Sequence, residues 1–143
     1  MMTSLQSPAP HPAPLRIALA GNPNSGKTSL FNALTGASQH VGNYPGVTVE
    51  RRAGRLAVGD EAAELVDLPG TYSLSSFSPE ERIAQDELLD HRPDVVVVVV
   101  DSTTLTRSLV FLAQVMQLGV NPILCLNMSD EANLHVVTGP LQG

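Results

Sequence analysis

The run Gly21-Asn22-Pro23-Asn24-Ser25-Gly26-Lys27-Thr28 fits the pattern G-x-x-x-x-G-K-[ST] in full. A polyphosphate needs many donors converging from one concave surface. A glycine-punctuated loop turns its backbone N–H groups inward without Cβ clashes. The helix that such a loop opens adds the positive end of its dipole. In this arrangement Lys27 reaches the β- and γ-phosphates and the Thr28 hydroxyl ligates Mg²⁺. A chance match in a strand-to-helix turn is the bland alternative. Placement directly after an apolar strand and directly before a helical stretch favours phosphate binding.

Three further groups complete a nucleotide site. Asp67-Leu68-Pro69-Gly70 follows the apolar pair Leu65-Val66, so the Asp67 carboxylate faces the phosphate loop from a strand end and holds Mg²⁺ through water. The Gly70 N–H then meets the γ-phosphate, although Asp-x-Pro-Gly is also ordinary turn chemistry. Thr48, in Gly46-Val47-Thr48-Val49-Glu50, offers a second hydroxyl to Mg²⁺ when a γ-phosphate is present; otherwise it is a β-branched residue starting a strand. Asn127-Met128-Ser129-Asp130 reads as N-x-x-D at the end of a buried strand. One carboxylate, Asp130, accepts the adjacent N1–H and N2 amine of guanine and would stand unpaired against adenine. Asn127 ties the base loop to the phosphate loop. Met128 stands where a lysine stem commonly covers the base and supplies the apolar cover without the charge.

The elements that must hold these residues alternate short apolar strands with helical segments, the pattern of a parallel sheet covered by helices. Strands are expected at 15–20, 48–58, 62–66, 95–100 and 120–126, with the hairpin turn at Gly59-Asp60 making one antiparallel edge strand. Helices are expected at 27–34, from Pro79 to about Asp90 behind a Ser78 cap, and at 103–118. In the last helix Leu105, Leu109, Leu112 and Met116 form the expected core stripe. Residues 36–47 read as a long functional loop. Nothing after Asp130 is long enough to finish the sheet. The expected fold is therefore an α/β P-loop GTPase with a mostly parallel sheet, one antiparallel edge strand, helices on both faces and the C-terminal strand and helix missing.

Composition narrows the function classes. The 143 residues carry a net charge of −6 and have 43% apolar content, which argues against a nucleic-acid-binding surface. The longest apolar run, Val95 to Val100, is far short of the ~20 residues that span a bilayer. Cys125 lies inside an apolar run and reads as a small core residue in a reducing compartment. Residues 1–14, with Pro8, Pro10, Pro12 and Pro14, read as a disordered leader, leaving 15–143 as an incomplete G domain.

The four elements, in this order, resemble the small GTPases of the TEES class. The wording of Gly21 to Gly36, Gln39 to Glu50 (QHVGNYPGVTVE), Asp67 to Leu74 (DLPGTYSL) and Leu126 to Ala132 (LNMSDEA) is similar to the amino-terminal G domain of the FeoB family of bacterial ferrous iron transporters. The resemblance implies a cytoplasmic domain that binds GTP and GDP, placed ahead of a helical spacer and a polytopic domain carrying Fe²⁺ across the bacterial inner membrane. It also implies that Asn24 helps coordinate a K⁺ ion that assists hydrolysis. Methionine is usual for this family at the position of Met128. The family's final base-contacting loop, spacer and membrane domains are absent from this chain, so a fragment is expected, with no nucleic-acid partner and no membrane insertion of its own.

Catalysis in such a site is positioning and electrostatics, with Lys27, Asn24 and Thr48 as the residues that act on the transferring phosphoryl group. Thr71 and Tyr72 follow Gly70 where many relatives place a water-orienting glutamine, so slow turnover is expected. Arg51 and Arg52 read as solvated charge on the hairpin. The isolated His11, His40, His91 and His135 read as surface residues, not iron ligands. Two function classes stay open: a slow GTPase that regulates iron transport, and a nucleotide-responsive switch with negligible hydrolysis. An RNA-associated GTPase is disfavoured by the acidic charge.

Overall fold

Strand residues alternate between two faces, and the strand Leu15–Gly21 (β1) shows how both layers of this domain arise. Ala18 and Ala20 join one buried cluster, while Leu19 joins another on the opposite side. The computed structural model describes residues 14–128 and 133–137. After β1 come α1 (Lys27–Thr35), β2 (Gln39–Asn43), β3 (Glu50–Val58), β4 (Glu61–Asp67) and α2 (Pro79–Leu89). Then follow β5 (Val95–Asp101), a 3₁₀ turn (Ser102–Thr104), α3 (Leu105–Gln117), β6 (Ile123–Met128) and β7 (Asn133–Val137).

Among the described residues seven strands make one sheet in the order β2-β3-β4-β1-β5-β6-β7. β4, β1, β5 and β6 run parallel at its centre. β3 is antiparallel to β4 across the two-residue Gly59-Asp60 turn, as the hairpin pattern predicts. Helices α2 and α3 cover one face, where Ala84, Leu88, Phe111, Leu112 and Val115 pack on Val96, Val98 and Val100. Helix α1 covers the other, where Phe31 packs on Leu19, Leu65, Val99 and Cys125. The α/β sheet with helices on both faces is thus the architecture the sequence implies.

Three details differ from expectation. The segment 36–47 is not all loop: Gln39–Asn43 pairs antiparallel with β3, in register from Gln39↔Gly54 to Asn43↔Glu50. Its pairing satisfies backbone groups that would otherwise leave β3 an open edge. The backbone of Asn133–Val137 returns against β6 as a further antiparallel strand, so each edge of the sheet is antiparallel, not one alone. In α3 the inward stripe is Ser108, Phe111, Leu112 and Val115; Leu105 and Leu109 are each 47% exposed. Both stripes satisfy helical spacing, and the bulk of Phe111 against the sheet selects the one observed. The 3₁₀ turn starts the chain's departure from β5, with the Asp101 carboxylate accepting from the Thr103 N–H at 2.9 Å.

Candidate functional site

The four parallel strands deliver their following loops to one side of the sheet, the carboxyl end where ligands settle in open α/β folds. β1 ends in the phosphate loop, β4 ends at Asp67, and β6 carries Asn127. The three sequence segments are brought together by topology alone.

Among the helix N-termini that follow these strands, those of α2 and α1 are treated differently. Helix α2 satisfies its own amides: the Ser78 hydroxyl accepts from Glu81 N–H at 3.1 Å and the Glu81 carboxylate accepts from Ser78 N–H at 3.0 Å. Helix α1 opens at Gly26 in the left-handed region (φ 95°), with no side-chain cap and no acidic residue in its first turn. Its free amides therefore point at whatever anion enters the loop. Asn24, a non-glycine residue at φ 63°, holds the loop's turn at an exposed position, a conformation asparagine tolerates better than most. The cavity above this loop measures about 450 Å³ and is lined by Asn22, Pro23, Asn24, Gly26, Lys27, Thr28, Ser29 and Gly70.

Lys27 and Asp67 are both buried and form an ion pair. Residues 68–71 lie against β1 and the start of the phosphate loop, Leu68 N–H donating to Leu19 O (2.9 Å) and Thr71 N–H to Gly21 O (3.2 Å). At Gly70 a Cβ would stand 3.1 Å from Pro23 Cα, so this close approach suits glycine. Asn127 Nδ2 donates to Ser25 O at 2.9 Å, the tie between base loop and phosphate loop that the sequence predicts. Met128 contributes its backbone to β6; Ser129 and Asp130 lie outside the described residues, as do residues 1–13 of the leader.

Thr48 is the exception among the expected ligands. It is exposed and lines, with Gly46, Val47, Val49, Pro79 and Glu80, a neighbouring cleft of about 490 Å³. Thr28 lines the phosphate cavity, so the two hydroxyls open on different spaces. Val49 borders both the Thr48 cleft and a third one, of about 340 Å³, that holds Lys27, Glu50, Arg52 and Asp67 through Gly70.

Three residues have surroundings that the sequence reading missed. Arg52 is not simply solvated: it sits opposite Asp67 in the β3–β4 register, borders the Lys27 cleft and pairs with Glu50 at 3.2 Å. Strand register with Asp67 was the signal that could have found it. Thr71, directly after Gly70, is buried, with its side chain turned away from solvent. Tyr44, in the segment before Thr48, is buried too; burial, assisted by the Glu87 carboxylate, pushes its phenol well above the ordinary value. Among the described residues no group of three or more His, Cys, Asp or Glu side chains is placed to hold a metal ion.

A phosphate loop between β1 and an uncapped α1, a carboxylate at the end of β4 and an asparagine buttress from β6, on this sheet order, define the P-loop GTPase fold. The family described as ferrous iron transport protein B matches residues 15–138, and the chain belongs to that family. It is 51% identical over 127 residues to the Fe(2+) transporter FeoB of Salmonella typhimurium, covering 86% of this chain and 16% of that protein. The Fe(2+) transport protein A/FeoB fusion protein of Porphyromonas gingivalis is 51% identical over 118 residues, with 82% of this chain and 14% of that one covered. The chain thus spans about a sixth of such relatives. The solved G domain of the T. maritima FeoB iron transporter superposes with a TM-score of 0.78 at 46% identity, covering 84% of this chain and 76% of that one. A GDP-bound mutant of S. thermophilus NFeoB gives 0.77 at 50% identity, covering 83% and 45%. Among the described residues no helix is long and apolar enough to cross a membrane.

Proposed function

We propose that this chain binds GTP and GDP with Mg²⁺, hydrolyses GTP slowly, and regulates a ferrous iron membrane transporter of which it is the cytoplasmic domain. The observation that carries the reading is the uncapped N-terminus of α1 above a buried Lys27–Asp67 pair. A polyphosphate supplies the anion that this helix end lacks and gives Lys27 a second partner. Thr28 and Asp67 form an all-oxygen donor set of the kind hard cations take. Bound Mg²⁺ would neutralise charge developing on the phosphate oxygens. Asn24, exposed at the rim of the same cavity, is the candidate K⁺ ligand. Thr48 and Gly46 to Glu50 are the candidate switch segment, which must swing inward across Val49 to reach the phosphate end. Asp130 would select guanine, with Met128 and Ser129 covering the base.

Slow turnover is the reading that Thr71 and Tyr72 support: neither is the glutamine that would orient a water beside Gly70, and the Thr71 side chain is buried. The same observation favours a second reading, a nucleotide-responsive switch whose hydrolysis hardly matters. The transport assignment rests on relatives named as Fe(2+) transporters and on a solved relative described as the cytosolic domain of L. pneumophila FeoB. On this reading the whole protein would reside in the bacterial inner membrane, with spacer and transport domains as this domain's partners.

GTP hydrolysis in Mg²⁺, compared in K⁺ and Na⁺, tests the reading, with Asp130→Asn and Asn24→Ala as controls. Turnover specific for GTP, faster in K⁺ and dependent on Asn24, is the expected result. Guanine-nucleotide binding without turnover in either salt selects the switch, and equal use of ATP rejects both.

A further inference from the structure

Two cations and two acids line the 340 Å³ cleft beside the phosphate loop, and their pairing is uneven. Lys27 and Asp67 are both buried and bonded to each other. Arg52 and Glu50 stand two residues apart on β3, hence on one face of the strand. Arg52 donates to Glu50 Oε1 from Nε at 3.3 Å and from Nη2 at 3.2 Å. This second pair lies toward solvent, with the Glu50 side chain 59% exposed. Exposed pairs of this kind contribute little, so Arg52 can leave Glu50 at small cost.

The β3–β4 ladder sets Arg52 directly opposite Asp67, so the two side chains share a face of the sheet. It is the face that α1 covers, since Leu56 and Leu65, each an even number of positions away, pack with Phe31. Directly opposed residues stand about 5 Å apart at Cβ, well within the reach of an arginine. On its other side Arg52 meets Val41 of β2, which offers no charge. Lys27 brings a single positive charge to Asp67. A polyphosphate in the loop takes a share of that charge and leaves the buried Asp67 carboxylate under-compensated. When Mg²⁺ is bound at Thr28 and Asp67, its charge makes good the deficit. In its absence the cation placed to do so is Arg52.

We infer that Arg52 is a positioning residue for Asp67: a reserve counter-ion that leaves Glu50 and takes the Asp67 carboxylate when Lys27 turns to phosphate and no divalent cation is bound. This rests on the nucleotide-binding reading above and deepens it. Calorimetric titration of the full chain with GDP, in Mg²⁺ and in chelator, tests it. Arg52→Gln should keep GDP affinity in Mg²⁺ within about twofold of the parent and lower it on the order of tenfold in chelator. Arg52→Lys, which keeps the charge, should restore most of that loss. Glu50→Gln removes the competing acid and should act in the opposite sense, bringing affinity in chelator closer to that in Mg²⁺. Parent-like binding by Arg52→Gln in chelator overturns the inference. An equal loss in both conditions also overturns it, because Arg52 would then act as a general attractor of phosphate. A parent chain that binds no GDP even in Mg²⁺ rejects the nucleotide reading instead, and urea unfolding without nucleotide then decides for Arg52. Lys27→Met leaves Asp67 without its partner, so adding Arg52→Gln should lower the folding equilibrium constant on the order of tenfold beyond the product of the two single effects. Effects that simply multiply reject the counter-ion role itself.

Discussion

Gly26→Ala is the perturbation whose cost the structure specifies most fully. A Cβ at this position would stand 2.2 Å from Asn127 Nδ2 and 3.1 Å from its Cγ. The backbone at Gly26 is also in the left-handed region, at φ +95°. Holding an alanine there costs about 1–3 kcal/mol. Displacing the Asn127 amide forfeits its 2.9 Å bond to Ser25 O, worth about 1 kcal/mol net. Roughly 3 kcal/mol in all is a large part of a total stability of about 5–15 kcal/mol. Asn127→Ala alone loses the bond without the backbone strain, about 1–2 kcal/mol. Its Cβ lies 3.7 Å from the added methyl, an ordinary contact, so the truncation makes room for alanine at 26. The double variant should therefore be less destabilised than the sum of the two single ones, by about 1 kcal/mol or more. Urea unfolding of the nucleotide-free protein measures all four corners of this cycle. Strict additivity, within about 0.5 kcal/mol, would refute the claim that residues 26 and 127 meet as described.

Removing one partner of the buried Lys27–Asp67 pair strands the other charge, so Lys27→Ala should cost about 3–5 kcal/mol in urea unfolding and abolish nucleotide binding. Lys27→Met combined with Asp67→Leu should recover much of that stability and none of the binding; equal stability of single and double variants would count against the pair. Phe31 is fully buried between α1 and the sheet, and Phe31→Ala should cost about 3–5 kcal/mol by the same measurement. Burial raises the Cys125 thiol pKa, so the folded chain keeps that proton to higher pH than the unfolded chain does. Its stabilising effect is intact below the unfolded thiol value of about 8.5 and is lost as pH rises from there through the folded value. Unfolding free energies measured from neutral pH upward should fall less steeply in Cys125→Ala than in the parent.

The sequence was most legible where spacing alone dictates chemistry. Gly21 to Thr28 and Asp67 to Gly70 name their own places because a phosphate loop requires a strand before it and a helix after it. Ser78, Pro79 and Glu81 likewise announce the start of α2 by local hydrogen bonding that needs no partner from elsewhere. What stayed illegible depended on neighbours distant in sequence. Gln39–Asn43 has no strong strand character of its own and becomes a strand because β3 offers it an edge. Which stripe of α3 turns inward depends on where Phe111 fits against β5, since Leu105 and Leu109 have the same helical spacing. The placement of Thr48 in its own cleft could not be read from residues 46–50 alone, nor the position of Arg52 opposite Asp67 from the pair Arg51-Arg52.

The chain has no tryptophan and two tyrosines, and these two, Tyr44 and Tyr72, fall in the segments on either side of the phosphate end. Tyr44 is 7% exposed and Tyr72 46% exposed, beneath Arg107. Intrinsic ultraviolet emission from this domain therefore arises almost wholly from the two stretches that would move with nucleotide. A neutral quencher in solution should reach Tyr72 and spare Tyr44, giving two separable optical populations. A label-free recording of both segments in one cuvette is a property the fold supplies by where it places its two phenols.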